Sequence, residues 1–265
     1  MRRAVLLMIG FALLAADARA AGRGADGNFD KRTSAHFELL QDVNIDESGG
    51  FYGSRRFEQE VLGELERAYA SLDSMLGLRP PRRLTVVIDD PNLFDQRFAA
   101  LFRFRAAGFY SGVIRVRGDV GLTADLARVL HHELVHAALD ALSPSVIYPA
   151  WVNEGLAEWF EWRSMGKRGL TSREHQVLYQ LGQANALLPL DVLSLPAFSR
   201  MDQRTAQVAY LQSYGMVDCM ERIAGERGLA RFTEELIRSR DVDRALQRAY
   251  RLDLRKLEAR FLGEL

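Results

Sequence analysis

The sequence has only one cysteine, Cys219, among its 265 residues. A single cysteine excludes a disulfide within the chain and a metal site built from several thiolates. Apolar residues at positions 214–217 come just before Cys219, so we interpret it as a small buried apolar side chain. Stability must therefore come from a hydrophobic core.

An excess of charge of one sign is also missing. Lys and Arg number 35, and Asp and Glu also number 35. The chain has no large positive charge to attract nucleic acid or anionic lipid. We therefore expect no nucleic-acid partner.

No apolar run is long enough to span a bilayer, which takes roughly 20 residues. The run at residues 4–16 follows Arg2 and Arg3 and precedes small residues at 18–20. This pattern predicts a signal peptide over residues 1–20 that is cleaved, leaving no stable membrane anchor. We expect export to the periplasm or the extracellular space. Residues 21–28, which are rich in Gly and Ala, are predicted to be a flexible leader.

Strands are predicted only in the first half of the chain. Apolar patterning indicates strands at 35–40, 83–89 and 113–117, a helix at 57–76 and a second helix starting at Asp90-Pro91. The stretch 106–112 resembles a turn. The predicted order is β-α-β-α-β.

Helical patterns dominate after Pro149. They cover 152–163, 173–186, 205–225, 229–239 and 241–262, the last with breaks. We predict an α+β fold with a small N-terminal mixed-sheet lobe over residues 29–121. A mainly helical lobe over 122–265 would carry the chemistry.

That chemistry is indicated by His132-Glu133-Leu134-Val135-His136, an H-E-x-x-H motif in a segment with helical periodicity. Histidines at i and i+4 lie on one helix face, where both rings can bind one ion. Glu133 points beside that ion and is the candidate general base. Thr123 is the predicted N-cap of this helix.

Glu154 lies eighteen positions after His136 and is the candidate third ligand. A catalytic zinc ion takes three protein ligands and keeps one position for water, whose pKa it lowers to about 7. His132, His136 and Glu154 therefore predict one zinc ion per chain. Glu133 would take the proton from the zinc-bound water.

The remaining histidines and Glu158 can have structural roles instead of roles in zinc binding. We expect His131 to be a packing or hydrogen-bonding residue, and His36 and His175 to be isolated. Glu158 shares a helix face with Glu154. It can support a ligating histidine from behind or remain a solvated carboxylate.

The segments 130–137 and 149–158 resemble the gluzincin metallopeptidases, especially the small secreted bacterial members called peptidase MA-like. In that family the two histidines and the glutamate bind zinc, and the glutamate inside the first motif is the base. The resemblance implies these roles for His132, His136, Glu154 and Glu133. It also implies that Glu158, one turn after the third ligand, supports a histidine.

Gluzincins often place a tyrosine on a helix after the third ligand to stabilise the oxyanion. Tyr210 occupies a matching Ala-Tyr-x-x-Ser context, although Tyr214 competes and a core position is the alternative for Tyr210. No sequence like Gly-Ala-Met-Glu-Asn is present to hold a substrate amino terminus. This favours an endopeptidase over an aminopeptidase.

Arginines alternate with apolar residues at 102–105 and 114–117, which predicts a hairpin with one basic face. That face is either solvated or part of a substrate-binding edge strand. In the second case Arg115 and Arg117 would favour acidic peptides.

These patterns predict a secreted zinc-dependent metallopeptidase that acts on a peptide or protein substrate. The alternative is a zinc-binding protein that does not catalyse a reaction and binds a partner or a component of the cell envelope. A hydrolase of a non-peptide amide would use the same residues. The sequence does not specify the oligomeric state.

Overall fold

A five-stranded mixed sheet occupies the first half of the chain. The computed structural model describes residues 29–43, 53–119 and 121–265. The strands are β1 (Asp30–Thr33), β2 (Phe37–Asp42), β3 (Leu84–Asp89), β4 (Gly108–Tyr110) and β5 (Ile114–Arg117). Their order in space is β1-β2-β3-β5-β4. The three inner strands are parallel, and β1 and β4 pair antiparallel at the two edges.

Helices make up most of the chain after the sheet. The helices are α1 (Gly53–Leu76), α2 (Pro91–Phe98), α3 (Ala124–Leu142), α4 (Ala150–Ser164), α5 (Ser172–Gln183), α6 (Leu190–Leu193), α7 (Gln203–Ser239), α8 (Val242–Tyr250) and α9 (Leu254–Gly263). A short 3-10 turn, Ala99–Leu101, follows α2. The predicted α+β class is confirmed, with the sheet first and the H-E-x-x-H helix, α3, in the helical part.

Local signals fixed several helix boundaries. The Asp90 carboxylate accepts from the backbone N–H of Asn92 at 2.9 Å, which starts α2 at Pro91 as predicted. The Thr123 hydroxyl accepts from Leu126 N–H at 3.2 Å and caps α3. The predicted break after residue 225 is present within α7 at Gly225, which has φ of 67°.

Three elements differ from the sequence predictions. β1 and α6 were not predicted, and β4 lies within the stretch 106–112 that was interpreted as a turn. The predicted strand at 35–40 runs from 37 to 42 instead. The predicted hairpin also forms with a different first strand, since β4 and not 102–105 pairs with β5.

One hydrophobic core joins the sheet to the helices. Leu39, Val86 and Ile114 are neighbours across β2, β3 and β5, and all three are fully buried. They belong to the same core cluster as residues of α1, α3, α4 and α7. α3 therefore packs directly on the sheet, and α4 packs between α3 and α7.

The predicted signal peptide and leader, residues 1–28, lie outside the described residues. Within the described ranges, no helix combines the length and apolar character needed to cross a bilayer.

Candidate active site

α3 places His132, Glu133 and His136 at the bottom of a cleft. The two histidine rings lie one turn apart in an edge-to-face arrangement, with centroids 4.9 Å from each other and an angle of 75° between the ring planes. Both rings are mostly buried, with 13% and 11% of the side chains exposed. The i, i+4 spacing thus brings the two imidazoles together as the sequence predicts.

α4 brings Glu154 to the same point. Its Oε2 atom lies 3.3 Å from His132 Nε2 and 3.4 Å from His136 Nε2. The next residue, Gly155, lets α4 lie close to α7, because a Cβ there would be 2.7 Å from the backbone oxygen of Ser213. The position of the carboxylate therefore depends on tight packing between these two helices.

The three residues fit a zinc ion. Their candidate ligand atoms all lie within 4.8 Å of one another. Zinc–nitrogen and zinc–oxygen bonds are about 2.0–2.2 Å long, so tetrahedral ligand atoms lie roughly 3.3–3.5 Å apart. The two distances from Glu154 to the histidines match that separation. Two imidazoles and one carboxylate are also a usual donor set for catalytic zinc.

The electrostatics of the three residues favour a cation among them. Burial alone would raise the pKa of Glu154, but the facing His136 and His132 rings lower it to about 2. Burial lowers the pKa of both histidines, yet the neighbouring carboxylates outweigh this and raise it. A divalent cation would stabilise the same carboxylates while the imidazoles stay neutral.

The second nitrogen of each histidine is held by an acceptor. His132 Nδ1 lies 2.8 Å from Glu161 Oε2, and His136 Nδ1 lies 3.0 Å from Asn153 Oδ1. In this arrangement each Nδ1–H donates, which leaves Nε2 free to bind a metal. Neither supporting residue was predicted from the sequence, although both lie on α4 with Glu154.

The predicted supporting role of Glu158 needs correction. Its carboxylate accepts from the indole N–H of Trp162 at 2.9 Å, and Glu161 makes the hydrogen bond to His132 instead. Arg128 binds the other oxygen of Glu161 at 2.6 Å and so fixes that carboxylate. Burial, together with the nearby Glu161 carboxylate, raises the pKa of Glu158 to about 7.

We expect Glu161→Gln to weaken zinc binding about 10- to 100-fold, because the ring of His132 loses a charged acceptor. Competition with a chromophoric chelator measures this affinity. Glu158→Gln is the matched control, since its carboxylate accepts from Trp162 and not from His132. A larger loss of zinc affinity in Glu158→Gln than in Glu161→Gln would contradict this assignment.

Glu133 is placed to act as a base. The residue is 5% exposed, and its Oε2 atom has no hydrogen-bond partner among the described residues. It lines the same cleft as His132 and His136. Burial raises the pKa of Glu133, while the two histidines oppose that rise. A buried carboxylate with a free oxygen suits proton transfer better than a structural ion pair does.

Tyr210 of α7 lies beside the histidines, and its ring centroid is 6.4 Å from that of His132. Its ring packs against Phe104 and Phe198 at the edge of the cleft. Burial and the surrounding glutamates raise the pKa of Tyr210 well above 10, so its hydroxyl stays a donor. Tyr214, the competing candidate, does not line this cleft and lies under the ammonium of Lys167.

The cleft has a volume of about 390 Å³ and is bordered by the edge strand β4. Antiparallel pairing alternates along β4, so the backbone groups of Gly108 and Tyr110 point away from β5 toward the open edge. A Cβ at Gly108 would be 2.7 Å from the Val129 side chain, so this glycine allows β4 to lie against α3. The Tyr110 hydroxyl donates to Asp140 of α3 at 2.7 Å.

Two of the arginines predicted to form a basic face, Arg115 and Arg117, are bound to carboxylates. Arg115 is 1% exposed and donates to both oxygens of Asp89 at 2.9 and 3.0 Å. Arg117 donates to Asp95 at 3.0 Å. The prediction that Arg115 and Arg117 favour acidic peptides is therefore wrong for Arg115, which cannot reach a substrate.

The remaining histidines have structural partners. His131 Nε2 lies 2.7 Å from Glu64, as expected for a hydrogen-bonding residue of the core. His36 pairs with Glu66 at 2.6 Å, and His175 lies 2.9 Å from the backbone oxygen of Glu264. These three histidines lie outside the cluster of candidate zinc ligands.

No protein-family profile and no curated protein sequence match this chain. Among solved structures, native yeast LTA4 hydrolase is similar, with a TM-score of 0.49 and 13% identity over 88% of this chain. Native leukotriene A4 hydrolase from Saccharomyces cerevisiae gives 0.46 and 11% over 89%. In both comparisons the chain spans only 38% of the length of the other protein.

Proposed function

We propose that this chain is a zinc-dependent metallopeptidase of the gluzincin type. The observation that carries the proposal is the convergence of His132, His136 and Glu154, with the Glu154 carboxylate 3.3 and 3.4 Å from the two Nε2 atoms and Oε2 of Glu133, which has no hydrogen-bond partner among the described residues, beside them. The motif resemblance to gluzincins supports the same function. Histidines that only filled the core would not need a third ligand from another helix.

A bound zinc ion would supply Lewis acidity that polarises the substrate carbonyl and makes water a better nucleophile at neutral pH. His132, His136 and Glu154 would hold it. Glu133 accepts a proton as the oxygen of water bonds to the carbonyl carbon. Glu133 then returns this proton to the amide nitrogen as the C–N bond breaks, which releases an amine and a carboxylic acid.

The negative charge that develops on the carbonyl oxygen needs a hydrogen-bond donor. Tyr210 is our candidate, because its hydroxyl is protonated and its ring lies at the edge of the cleft next to His132. Preorganised donors of this kind act strongly in a site from which water is largely excluded.

We expect Tyr210→Phe to lower kcat about 10²- to 10³-fold with little change in KM, since the donor acts mainly in the transition state. Steady-state kinetics on a fluorogenic peptide measures both constants. Tyr179→Phe, an exposed tyrosine on α5, serves as the control. A kcat close to that of the native protein, or a larger loss in Tyr214→Phe, would remove Tyr210 from this role.

The substrate would lie along β4. The outward backbone groups of Gly108 and Tyr110 can pair with an extended peptide, which is the usual form of β-strand addition. The cleft continues past the histidines along α3 to Leu139 and Asp140. Such a groove binds residues on both sides of the cleaved bond, so we favour an endopeptidase.

The decisive test compares zinc content with cleavage of an unfolded protein. We expect one zinc ion per chain, cleavage that stops when a chelator removes the metal, and recovery when zinc is added back. Full zinc occupancy without cleavage of any unfolded substrate would instead favour a protein that binds partners. Cleavage that survives complete loss of metal would overturn the zinc mechanism.

We also propose that the protein acts after export, on the basis of the signal pattern in residues 1–20. Mass spectrometry of the protein purified from a secreting bacterial host is expected to find a chain that begins near Ala21. A chain that retains residues 1–20 would contradict cleavage.

A further inference from the structure

A second cavity lies next to the zinc-ligand cluster, toward the N-terminus of α3. Its volume is about 490 Å³. Arg128, one turn before His132, forms part of its wall, together with Glu158 of α4 and Tyr214 of α7. Tyr210 lines both this cavity and the cleft described above. The two cavities are therefore neighbours that meet at Tyr210.

Glu158 is the acidic residue of this cavity that has no cationic partner among the described residues. Its carboxylate accepts from the neutral indole of Trp162 at 2.9 Å, and Glu161 and Glu154 add negative charge nearby. Glu174, the other acidic residue of the wall, is paired with Lys167 at 2.7 Å. Glu158 is thus the carboxylate of this wall that has room for a cationic partner.

The cations around the cavity are already engaged. Arg128 is held by Glu161 at 2.6 Å and lies over the Trp162 ring. Arg105 is largely exposed and lies 3.5 Å from Asp95. Neither arginine forms an ion pair with Glu158, so the carboxylate can accept a new donor.

The rest of the wall suits a long cationic side chain. The aromatic rings of Phe104 and Tyr210 provide faces that attract cations and cover an aliphatic stem, while the Tyr214 ring already has the Lys167 ammonium over it. Gln203 and Gln207 at the exposed rim provide neutral amide oxygens as further acceptors. The cavity is also within the usual size range of side-chain and ligand pockets.

We infer that this cavity is a substrate subsite for a basic side chain, arginine or lysine, next to the cleaved bond. The inference rests on the proposed peptidase function. It places the side chain close to His132, because the Glu158 carboxylate and a ring nitrogen of that histidine lie within 4.8 Å of each other. The charge of Glu158 would then select the substrate, while Glu133 performs the proton transfer.

Paired peptides test this subsite. Each pair carries arginine or citrulline, its neutral isostere, at one position near the cleaved bond. At one position we expect kcat/KM to be roughly 10- to 100-fold higher for the arginine peptide than for the citrulline peptide. This factor corresponds to the free energy of a hydrogen bond to a charged group. In Glu158→Gln this ratio is expected to fall to near 1. Glu234→Gln, which removes an exposed carboxylate from the distal part of α7, should keep the ratio.

A binding measurement separates this proposal from the proposed function. Zinc-loaded Glu133→Gln is titrated with fluorescent arginine and citrulline peptides, and anisotropy reports the Kd. A preference for arginine that disappears in Glu133→Gln/Glu158→Gln supports the subsite even if the native protein cleaves nothing. Equal Kd values for both peptides, or tighter binding of the citrulline peptide, would overturn it.

Two further binding measurements test where the cation lies and which cation of the peptide is bound. Gln207→Lys adds a positive charge at the rim, away from the zinc ligands, and is expected to weaken binding of the arginine peptide without loss of zinc. Peptides with free and acetylated amino termini show which cation is bound. If only the free terminus improved binding, the cavity would hold an amino terminus and the side-chain proposal would fail.

Discussion

Replacement of Glu133 by glutamine is expected to lower kcat by about 10²- to 10⁴-fold and to leave one zinc ion per chain. Glutamine has nearly the same shape, so the packing of α3 is kept. Its amide cannot accept a proton from water at neutral pH. The loss is therefore expected in kcat, with little change in the Kd for peptide.

The measurement needs zinc content and kinetics from the same preparation. Native protein and Glu133→Gln are compared by elemental analysis and by cleavage of an unfolded protein. Glu234→Gln controls for the removal of one negative charge. If Glu133→Gln kept most of the native kcat with full zinc, another base would have to be found. If it lost its zinc, Glu133 would belong with the metal ligands.

The local part of this site could be predicted from the sequence. Two histidines four residues apart converge because an α-helix fixes their geometry, so His132 and His136 required no knowledge of the fold. Glu154 was predicted from its position in a second helical segment, whose sequence resembles the third-ligand motif of the gluzincins. The structure brings all three together at distances suited to zinc.

The supporting residues depend on how two helices cross, which the sequence does not show. Glu158 and Glu161 lie one and two turns after Glu154 on similar faces of α4. The relative position of α3 and α4 puts Glu161 against His132, and Arg128 of α3 holds it there. Arg128 lies four residues before His132, and Glu161 lies seven residues after Glu154. These two spacings put opposite charges on the facing sides of α3 and α4, and they could have suggested Glu161 as the partner of His132.

The two missed strands are short and lie at the edges of the sheet. β1 has the polar sequence Asp-Lys-Arg-Thr, and β4 has three residues and begins with Gly108. Neither carries the apolar alternation that identifies a strand. Their pairing is imposed by the neighbouring strands β2 and β5, so local patterning could not reveal it.

Apolar and basic residues alternate in β5, and the prediction that they lie on opposite faces was correct. The prediction that the basic face is open was wrong. Ile114 and Val116 face the core, as the pattern indicates. The opposite face was expected to be open, but α2 covers it, and the Arg115 guanidinium lies 5.3 Å from the centre of the Phe98 ring. A helix that packs over the second face of a parallel strand buries residues that alternation alone marks as exposed.

This burial leads to a large expected effect on stability. Asp89→Asn leaves the Arg115 guanidinium buried without its carboxylate, and breaking such a pair costs about 3–5 kcal/mol. We expect the free energy of unfolding, measured by urea denaturation, to fall by that amount. Asp95→Asn affects the more exposed partner of Arg117 and should cost less than about 1 kcal/mol.

The double variant Asp89→Asn/Arg115→Met tests the cause. Methionine fills much of the space of arginine without a charge, so most of the lost stability should return. Equal losses in Asp89→Asn and Asp95→Asn would show that the buried pair has no special role. Arg115 binds Asp89 and so links β5 to β3, and β5 pairs with the edge strand β4. A charge reversal at Arg115 is therefore expected to unfold this side of the cleft. It is not expected to change the preference for acidic peptides.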